Sequence, residues 1–201
     1  MSGFKWLRRM GEAVDRHYLK QVNAFAIPGS RLGLLLLCYH PYQGKQPLLL
    51  DDQTTITQGA IIGEFHLGNT RITEIAKESS PRPLEWRLMQ MLKGELAVLA
   101  EACIKGEIAG EVQAFYGVNV LVAGARRLGF TLVPLPKGWK RWWVGFWESL
   151  LRLIYYSYQT KKKAVLQKTM DPYEVWITRD ELVRRYTKAT IGTSGDRVEI
   201  S

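Results

Sequence analysis

The chain has 201 residues, of which 46% are hydrophobic and 23% are charged. This composition excludes a disordered or fibrous chain, and the length suits one domain with its own core. Lys and Arg outnumber Asp and Glu by 28 to 19, which gives a net charge of +9. The whole excess lies in residues 1–20 and 137–163, so the rest of the chain is electrically balanced.

Cysteine usage and hydropathy bear on the compartment. Cys38 and Cys103 each lie in an apolar stretch and lack the spacing of a disulfide framework, which predicts free thiols in a reducing environment. Residues 1–20 lack the apolar core of a signal peptide, and no uncharged run is long enough to span a bilayer. We therefore expect a cytoplasmic protein.

The first third of the chain predicts one helix followed by strands. Residues 4–20 have the periodicity of an amphipathic helix, and a turn follows at residues 27–30. Apolar runs predict three strands, at residues 32–39, 48–50 and 60–67. The polar, Thr-rich stretch between the last two predicts a loop or an exposed hairpin.

The middle of the chain predicts a long helix and a compact β-α-β unit. Ser79-Ser80-Pro81 is typical of a helix start, and apolar residues keep helical spacing as far as Cys103. The β-α-β unit is predicted from a strand at 112–116, a helix at 118–128 capped by Gly129, and a strand at 130–135. This succession indicates one parallel pair of strands.

The last part predicts a long helix at residues 139–158, a strand at 173–177 and a final helix. Thr178-x-x-Glu181 is a capping box that opens this helix. Together the elements predict a single α+β domain over residues 1–189, with a small mixed sheet packed with amphipathic helices. Residues 190–201 are predicted to form a flexible tail.

The motif GEFHLGN at residues 63–69 contains the candidate catalytic residues Glu64, His66 and Asn69. Side chains alternate along a strand, so Glu64 and His66 share one face of the strand at 60–67. A carboxylate beside an imidazole suits general acid–base chemistry. The alternative is that the pair forms the polar face of a half-exposed strand.

Two other kinds of site are suggested or disfavoured by spacing. A candidate anion-binding turn is formed by Gly117 and Asn119, which lie at a predicted strand-to-helix turn. No nucleotide-binding motif accompanies them, and the alternative is that the glycine serves backbone geometry alone. The three histidines lack the spacing of a metal motif, and a zinc site would need ligands from distant parts of the chain. We therefore predict neither a metal site nor a cofactor.

The helix predicted at residues 139–158 carries a continuous apolar stripe with four tryptophans in its first nine positions. It is a candidate ligand or membrane surface, made of Trp139, Lys140, Arg141, Trp142, Trp143 and Trp147 with the basic run Lys161, Lys162 and Lys163. Such a helix can lie in the interface of an anionic membrane. The alternatives are a stripe packed on the sheet with a solvated basic face, or a nucleic-acid footprint.

The chain resembles the YkoP-like domain, a bacterial family that occurs alone or beside polysaccharide deacetylase domains. The resemblance rests on four short motifs in order: GEFHLGN at 63–69, FYGVN at 115–119, LGF at 128–130 and WITRDEL at 176–182. Gly68 departs from the acidic or amide residue expected before Asn69. The resemblance implies no particular reaction.

These observations lead to three functional hypotheses. The first is a non-catalytic accessory or binding module, peripheral at the inner membrane or attached to a cell-envelope polysaccharide enzyme. The second is a small hydrolase or transferase with its site around Glu64, His66 and Asn69. The third is nucleic-acid binding. A polysaccharide deacetylase is disfavoured, because Asp51-Asp52 is not accompanied by an HxxxH motif.

Overall fold

A computed structural model describes residues 19–67, 71–72, 74–75, 78–119, 122–135 and 173–193. Eight strands lie in these ranges: β1 (Phe25–Ala26), β2 (Leu35–Pro41), β3 (Leu48–Leu49), β4 (Thr55–Ile56), β5 (Ile61–Leu67), β6 (Ala114–Asn119), β7 (Thr131–Pro134) and β8 (Tyr173–Thr178). The helices are α1 (Leu84–Ile104), α2 (Val122–Ala125) and α3 (Arg179–Thr193), with a 3-10 turn at Arg126–Leu128.

Six of the strands form one mixed sheet in the order β1-β2-β5-β6-β8-β7, and β3 and β4 form a separate hairpin. Within the large sheet only β5 and β6 pair in parallel, and the other neighbours pair antiparallel. The 21-residue helix α1 lies in the connection between β5 and β6, as expected for a parallel crossover. The predicted α+β class with a small mixed sheet is confirmed.

The sequence predicts that the two strands flanking residues 118–128, which are β6 and β7 in the structure, pair with each other in parallel. This prediction is wrong, because the two strands are not neighbours in the sheet. Strands β6 and β7 do run in the same direction, but β8 lies between them and pairs antiparallel with both. Strand β8 therefore lies beside β6, where β7 is predicted to pair. Since β8 follows β7 by almost 40 residues, this pairing has no local signal.

One face of the sheet is covered by helices. Leu37, Phe115 and Ile177, from three strands, pack against α1 and α3 in the main hydrophobic cluster. Leu96 and Leu99 of α1 are completely buried there. Burial of these apolar side chains stabilises the packing of the helices on the sheet.

The other face combines apolar and polar positions. At one end the β3–β4 hairpin covers it, and Leu50 and Ile56 are buried with Ile62, Tyr116 and Trp176. The stretch predicted as a loop or exposed hairpin is thus a hairpin with a buried inner side. The remaining part of this face carries the polar side chains considered below.

Several predicted boundaries differ from the structure. Helix α1 begins at Leu84 rather than at Pro81, because Pro83 has an extended ψ of 144° and a proline disfavours helical backbone at the residue before it. Gly117 lies inside β6 instead of ending it, and the following helix begins at Val122. Helix α3 continues to Thr193, four residues into the predicted tail.

Two predicted helix ends are confirmed. Gly129 follows the 3-10 turn with φ 91°, in the left-handed region that favours glycine. Thr178 caps α3, since its Oγ1 accepts the Glu181 N–H at 3.1 Å. The Glu181 carboxylate pairs with Arg184 and Arg185 of the same helix.

The helix predicted at residues 139–158, the basic run at 161–163 and nearly all of the helix predicted at 4–20 lie outside the described residues. Among the residues that the structure describes, no helix is long and apolar enough to cross a membrane.

Candidate functional site

Five polar or titratable side chains lie together on the sheet face opposite α1 and α3. They come from three adjacent strands and are called the polar sheet face: Cys38, His40, Glu64, His66 and Tyr116. Alternation places them there, because their odd-numbered neighbours in the same strands point to the helical side. The face therefore follows from period-2 patterning in three strands at once.

The strand register brings these side chains into contact. Cys38 is directly opposite Glu64 on the antiparallel neighbour, and Glu64 is aligned with Tyr116 on the parallel neighbour. His40 is two residues from Cys38 on β2 and therefore diagonal to Glu64. His66 is two residues from Glu64 on β5 and therefore diagonal to Cys38. Long side chains reach each other across such diagonals, so the five groups form one cluster centred on Glu64.

His40 contacts three other groups. Its Nε2 lies 3.2 Å from Oε2 of Glu64 and 3.1 Å from the hydroxyl of Tyr116. Its Nδ1 lies 3.1 Å from the Pro41 carbonyl oxygen, which can only accept, so the proton of that bond belongs to Nδ1. Nε2 then accepts from Tyr116 when the ring is neutral and donates to Glu64 when the ring is charged.

Cys38 and His66 form the other half of the cluster. Cys38 Sγ lies 3.4 Å from His66 Nε2, and one ligand atom each of Cys38, Glu64 and His66 lie within 4.8 Å of one another. Burial, followed by the nearby charge of Glu64, raises the pKa of the Cys38 thiol to about 11. Cys38 is therefore a thiol at neutral pH unless a cation joins the cluster.

Aromatic packing holds Tyr116 in place. Its ring stacks on Trp176 with centroids 4.6 Å apart and an interplanar angle of 18°. Trp176 is buried, and its indole N–H donates to Glu174 Oε2 at 3.1 Å. Tyr42 contacts the indole edge-on, with ring centroids 5.8 Å apart. The hydroxyl that faces His40 is thus carried on a fixed ring.

The structure places the predicted site residues as follows. Glu64 and His66 share a face, as the alternation predicts, whereas Asn69 lies outside the described residues. Gly117 is not at a turn: it pairs with Val175 inside the sheet, and a Cβ there would lie 3.3 Å from Cβ of Phe65. The predicted membrane or ligand surface at 139–163 lies outside the described residues.

Sequence analysis missed Cys38, His40 and Tyr116 as partners of Glu64 and His66. Residues 32–39 are predicted as an apolar strand, and the structure extends this strand to Pro41, which brings His40 onto the same face as Cys38. What the sequence pattern cannot give is the register between β2 and β5, which alone sets Cys38 beside Glu64.

A separate cleft lies on the helical side of the molecule, between α1, α2 and α3. Its charged lining is cationic, from Lys93, Arg127 and Arg185, and Arg185 is already paired with Glu181. Among the described residues, this lining has no carboxylate, imidazole or thiol. Acid–base chemistry is therefore better served by the polar sheet face.

The described structure is an α+β domain that carries an imidazole–carboxylate–phenol cluster on the face of the mixed sheet opposite α1 and α3. A scan against protein families matches the YkoP domain over residues 5–186. The match covers most of the chain, so the protein belongs to the YkoP domain family. Searches of curated proteins and of solved structures returned no match.

Proposed function

We propose that this YkoP-domain protein is a small hydrolase or transferase whose acid–base groups lie on the polar sheet face. One observation carries the proposal: His40 Nε2 faces both the Glu64 carboxylate and the Tyr116 hydroxyl at hydrogen-bond distance. Each protonation state of the imidazole therefore has a partner. A group that takes up and releases a proton during a reaction needs this property.

The cost of the arrangement supports a functional interpretation. Central strands are stabilised most by well-packed apolar side chains, and buried polar groups repay their desolvation only when every one is paired. Here a thiol, a carboxylate, two imidazoles and a phenol occupy neighbouring positions on β2, β5 and β6. Departures from local stability of this kind concentrate at functional sites.

In this proposal the members of the cluster have different roles. His40 exchanges the proton, Glu64 orients the imidazole, and Tyr116 supplies a second hydrogen-bond partner. Cys38 does not suit the role of nucleophile, because it is buried and its pKa is raised to about 11, whereas nucleophilic thiols have lowered pKa values.

A panel of chromogenic substrates tests the proposal. We suggest p-nitrophenyl acetate, p-nitrophenyl phosphate and p-nitrophenyl N-acetylglucosaminide, each assayed with the wild-type chain, His40→Gln and Glu64→Gln. Exposed Glu74→Gln is the matched control. We expect turnover of one class, lowered by about 100-fold or more in both site variants and unchanged in the control.

Two results would contradict the proposal. One is the absence of turnover on all three classes. The other is turnover that His40→Gln and Glu64→Gln leave unchanged, which would place any reaction elsewhere in the chain.

A second candidate function is attachment to an anionic membrane, favoured by the concentration of the net charge in residues 1–20 and 137–163. In this proposal the YkoP domain is peripheral at the inner membrane, where it would meet envelope-polysaccharide enzymes. Sedimentation with phosphatidylglycerol vesicles tests it, with phosphatidylcholine vesicles as reference. A triple variant with Gln at Lys161, Lys162 and Lys163 should bind anionic vesicles more weakly than a control variant. The control carries Gln at the exposed Lys93, Lys105 and Arg126.

Nucleic-acid binding is the remaining use of the same charge. It predicts affinity for a short DNA duplex that falls steeply with salt. If that affinity exceeds the affinity for anionic vesicles at the same ionic strength, the membrane proposal is contradicted.

A further inference from the structure

We propose that Cys38, His66 and Glu64 bind a divalent transition metal ion of the zinc class, with a fourth position left open. The proposal rests on the proposed function, since the ion would lie in the same polar sheet face. It assigns to that site a cofactor that the spacing of residues in the sequence does not indicate.

The distances between the donor atoms support this assignment. With metal–ligand bonds of about 2.0 to 2.3 Å, two ligand atoms in a tetrahedral zinc site lie roughly 3.3 to 3.8 Å apart. Cys38 Sγ and His66 Nε2 are 3.4 Å apart, which is already within that range. The atoms of all three residues lie within 4.8 Å of one another, so the carboxylate needs to move inward by only about 1 Å.

The chemistry of the donors selects the kind of ion. A thiolate sulfur and an imidazole nitrogen favour zinc, cobalt or nickel over magnesium and calcium, which prefer oxygen ligands. Three protein ligands from Cys, His and Glu leave one tetrahedral position for water or substrate. That count is typical of catalytic zinc sites, while structural sites are closed by four protein ligands.

The groups around the three ligands suit a metal site as well. The Glu64 carboxylate is held by His40, whose Nε2 is 3.2 Å from Oε2, and outer hydrogen bonds of this type orient ligating side chains. Cys38 is buried at 3% exposure, whereas Glu64 keeps 20% of its side chain exposed. The ion would therefore be anchored in the sheet and open on one side.

Position in the fold adds rigidity. All three ligands lie on β2 and β5. These strands pair over seven residues, from Leu35 opposite Leu67 to Pro41 opposite Ile61. A site built on paired strands holds its geometry better than one built on loops. The second cysteine, Cys103, lies in α1 within the main hydrophobic cluster of the helical side, and it provides a matched control.

Cobalt titration of the untagged full chain tests the proposal. The protein is reduced, treated with a chelator, desalted and titrated with Co²⁺, because a thiolate–cobalt bond gives a charge-transfer band in the near ultraviolet. We expect one Co²⁺ per chain with this band, and its displacement by Zn²⁺. The band should disappear in Cys38→Ser and remain in Cys103→Ser.

The other ligands are tested by affinity. His66→Gln and Glu64→Gln should weaken Zn²⁺ binding by at least about 10-fold, measured by competition with a chromogenic chelator. Thermal melting of each metal-free variant in chelator shows whether the variant is folded. If His66→Gln is not folded, His66→Asn replaces it in the binding measurement. The absence of a thiolate–cobalt band in wild type, or its loss in Cys103→Ser instead of Cys38→Ser, overturns the proposal.

The substrate panel keeps this proposal separate from the proposed function. Turnover that depends on His40, in a protein that shows no thiolate–cobalt band, overturns the metal site alone. Stoichiometric Co²⁺ binding through Cys38 in a protein without turnover supports the metal site and contradicts the enzyme proposal.

Discussion

Cys38 and His66 are 28 positions apart in the sequence, yet Sγ of one lies 3.4 Å from Nε2 of the other. The contact exists because β2 and β5 pair antiparallel, with Cys38 opposite Glu64 and His66 on the next same-face position. A shift of β2 by one residue in this register would turn Cys38 and His40 to the helical side, away from Glu64 and His66. The candidate site is therefore a property of the sheet more than of any single motif.

The hydroxyl of Tyr116 can be separated from its ring. Tyr116→Phe removes the group 3.1 Å from His40 Nε2 and keeps the stack on Trp176. We expect a loss of about 1 kcal/mol or less in the free energy of unfolding, and a fall of about tenfold in any turnover that depends on His40. Chemical denaturation and the substrate panel measure the two effects.

Tyr42→Phe is the control for that experiment. Tyr42 also contacts the Trp176 ring, but its hydroxyl donates to the Gln46 carbonyl at 3.4 Å, away from His40. Equal loss of turnover in both variants would show that packing on Trp176, and not the hydroxyl of Tyr116, is responsible.

Gly63, the first residue of the GEFHLGN motif, has a packing role on the helical side of β5. A Cβ at this position would lie 2.6 Å from Cδ1 of Phe115, whose ring stacks with Phe65. Gly63→Ala should therefore lower the free energy of unfolding by about 1 to 3 kcal/mol. Urea denaturation measures the change.

The matched control is Gly94→Ala in helix α1. Gly94 is exposed and has no atom within 4 Å of an added Cβ, so alanine should stabilise the helix by roughly 0.5 to 1 kcal/mol. If the two alanine variants change stability in the same direction, contact with Phe115 is not the reason for glycine at position 63.

Sequence reasoning captured what is local and missed what depends on pairing. The alternation around Glu64 and His66 determines that they share a face, and Thr178-x-x-Glu181 determines where α3 begins. The insertion of β8 between β6 and β7 depends on contacts of β8 with β7, almost 40 residues earlier, and with β6, which lies earlier still. Gly117 is predicted at a turn for a related reason. An added Cβ at this position would contact Phe65 of the neighbouring strand, but a single glycine gives the same sequence signal in a strand as in a turn.

Asp52 links the β3–β4 hairpin to the start of α3. Its carboxylate accepts hydrogen bonds from the Thr178 hydroxyl and from the Thr54 N–H at 3.1 Å. Thr178 also caps α3. We expect Thr178→Val to lower the free energy of unfolding by about 1 to 2 kcal/mol and Asp52→Ala by about 1 kcal/mol.

A double-mutant cycle on Asp52 and Thr178 measures their coupling. Because the two share a hydrogen bond, the double variant should lose less stability than the sum of the single variants, by about 0.5 kcal/mol or more. Strict additivity in urea denaturation would show that the hydrogen bond contributes nothing.

Glu95 is a buried carboxylate that supports the chain before β2. It is 1% exposed, accepts the Ser30 hydroxyl at 2.6 Å and accepts the Leu35 N–H at 3.3 Å. Glu95→Ala leaves these donors without a partner, so we expect a loss of about 2 to 3 kcal/mol in the free energy of unfolding. Glu101→Ala, at an exposed position of the same helix, should have little effect. Similar melting temperatures for the two variants would contradict this account.

Tyr186 predicts how stability changes at alkaline pH. Burial raises its pKa from the ordinary value of 10.0 to about 12, against the opposing charge of Arg185, and its hydroxyl donates to the Leu128 carbonyl at 3.0 Å. Folding therefore favours the protonated phenol. This contribution is fully present below pH 10 and is lost as the pH rises towards 12, because the unfolded chain releases its proton first.

Tyr186→Phe isolates that contribution. The variant lacks the hydroxyl, so its free energy of unfolding should fall less steeply between pH 10 and pH 12 than that of the wild type. Cys38 and Cys103, whose pKa values burial also raises to about 11, are present in both proteins and do not affect the difference. Urea denaturation at pH 8, 10 and 11 provides the comparison. Parallel pH profiles would mean that the Tyr186 hydroxyl ionises equally easily in the folded and unfolded chain, in conflict with its burial between α3 and the 3-10 turn.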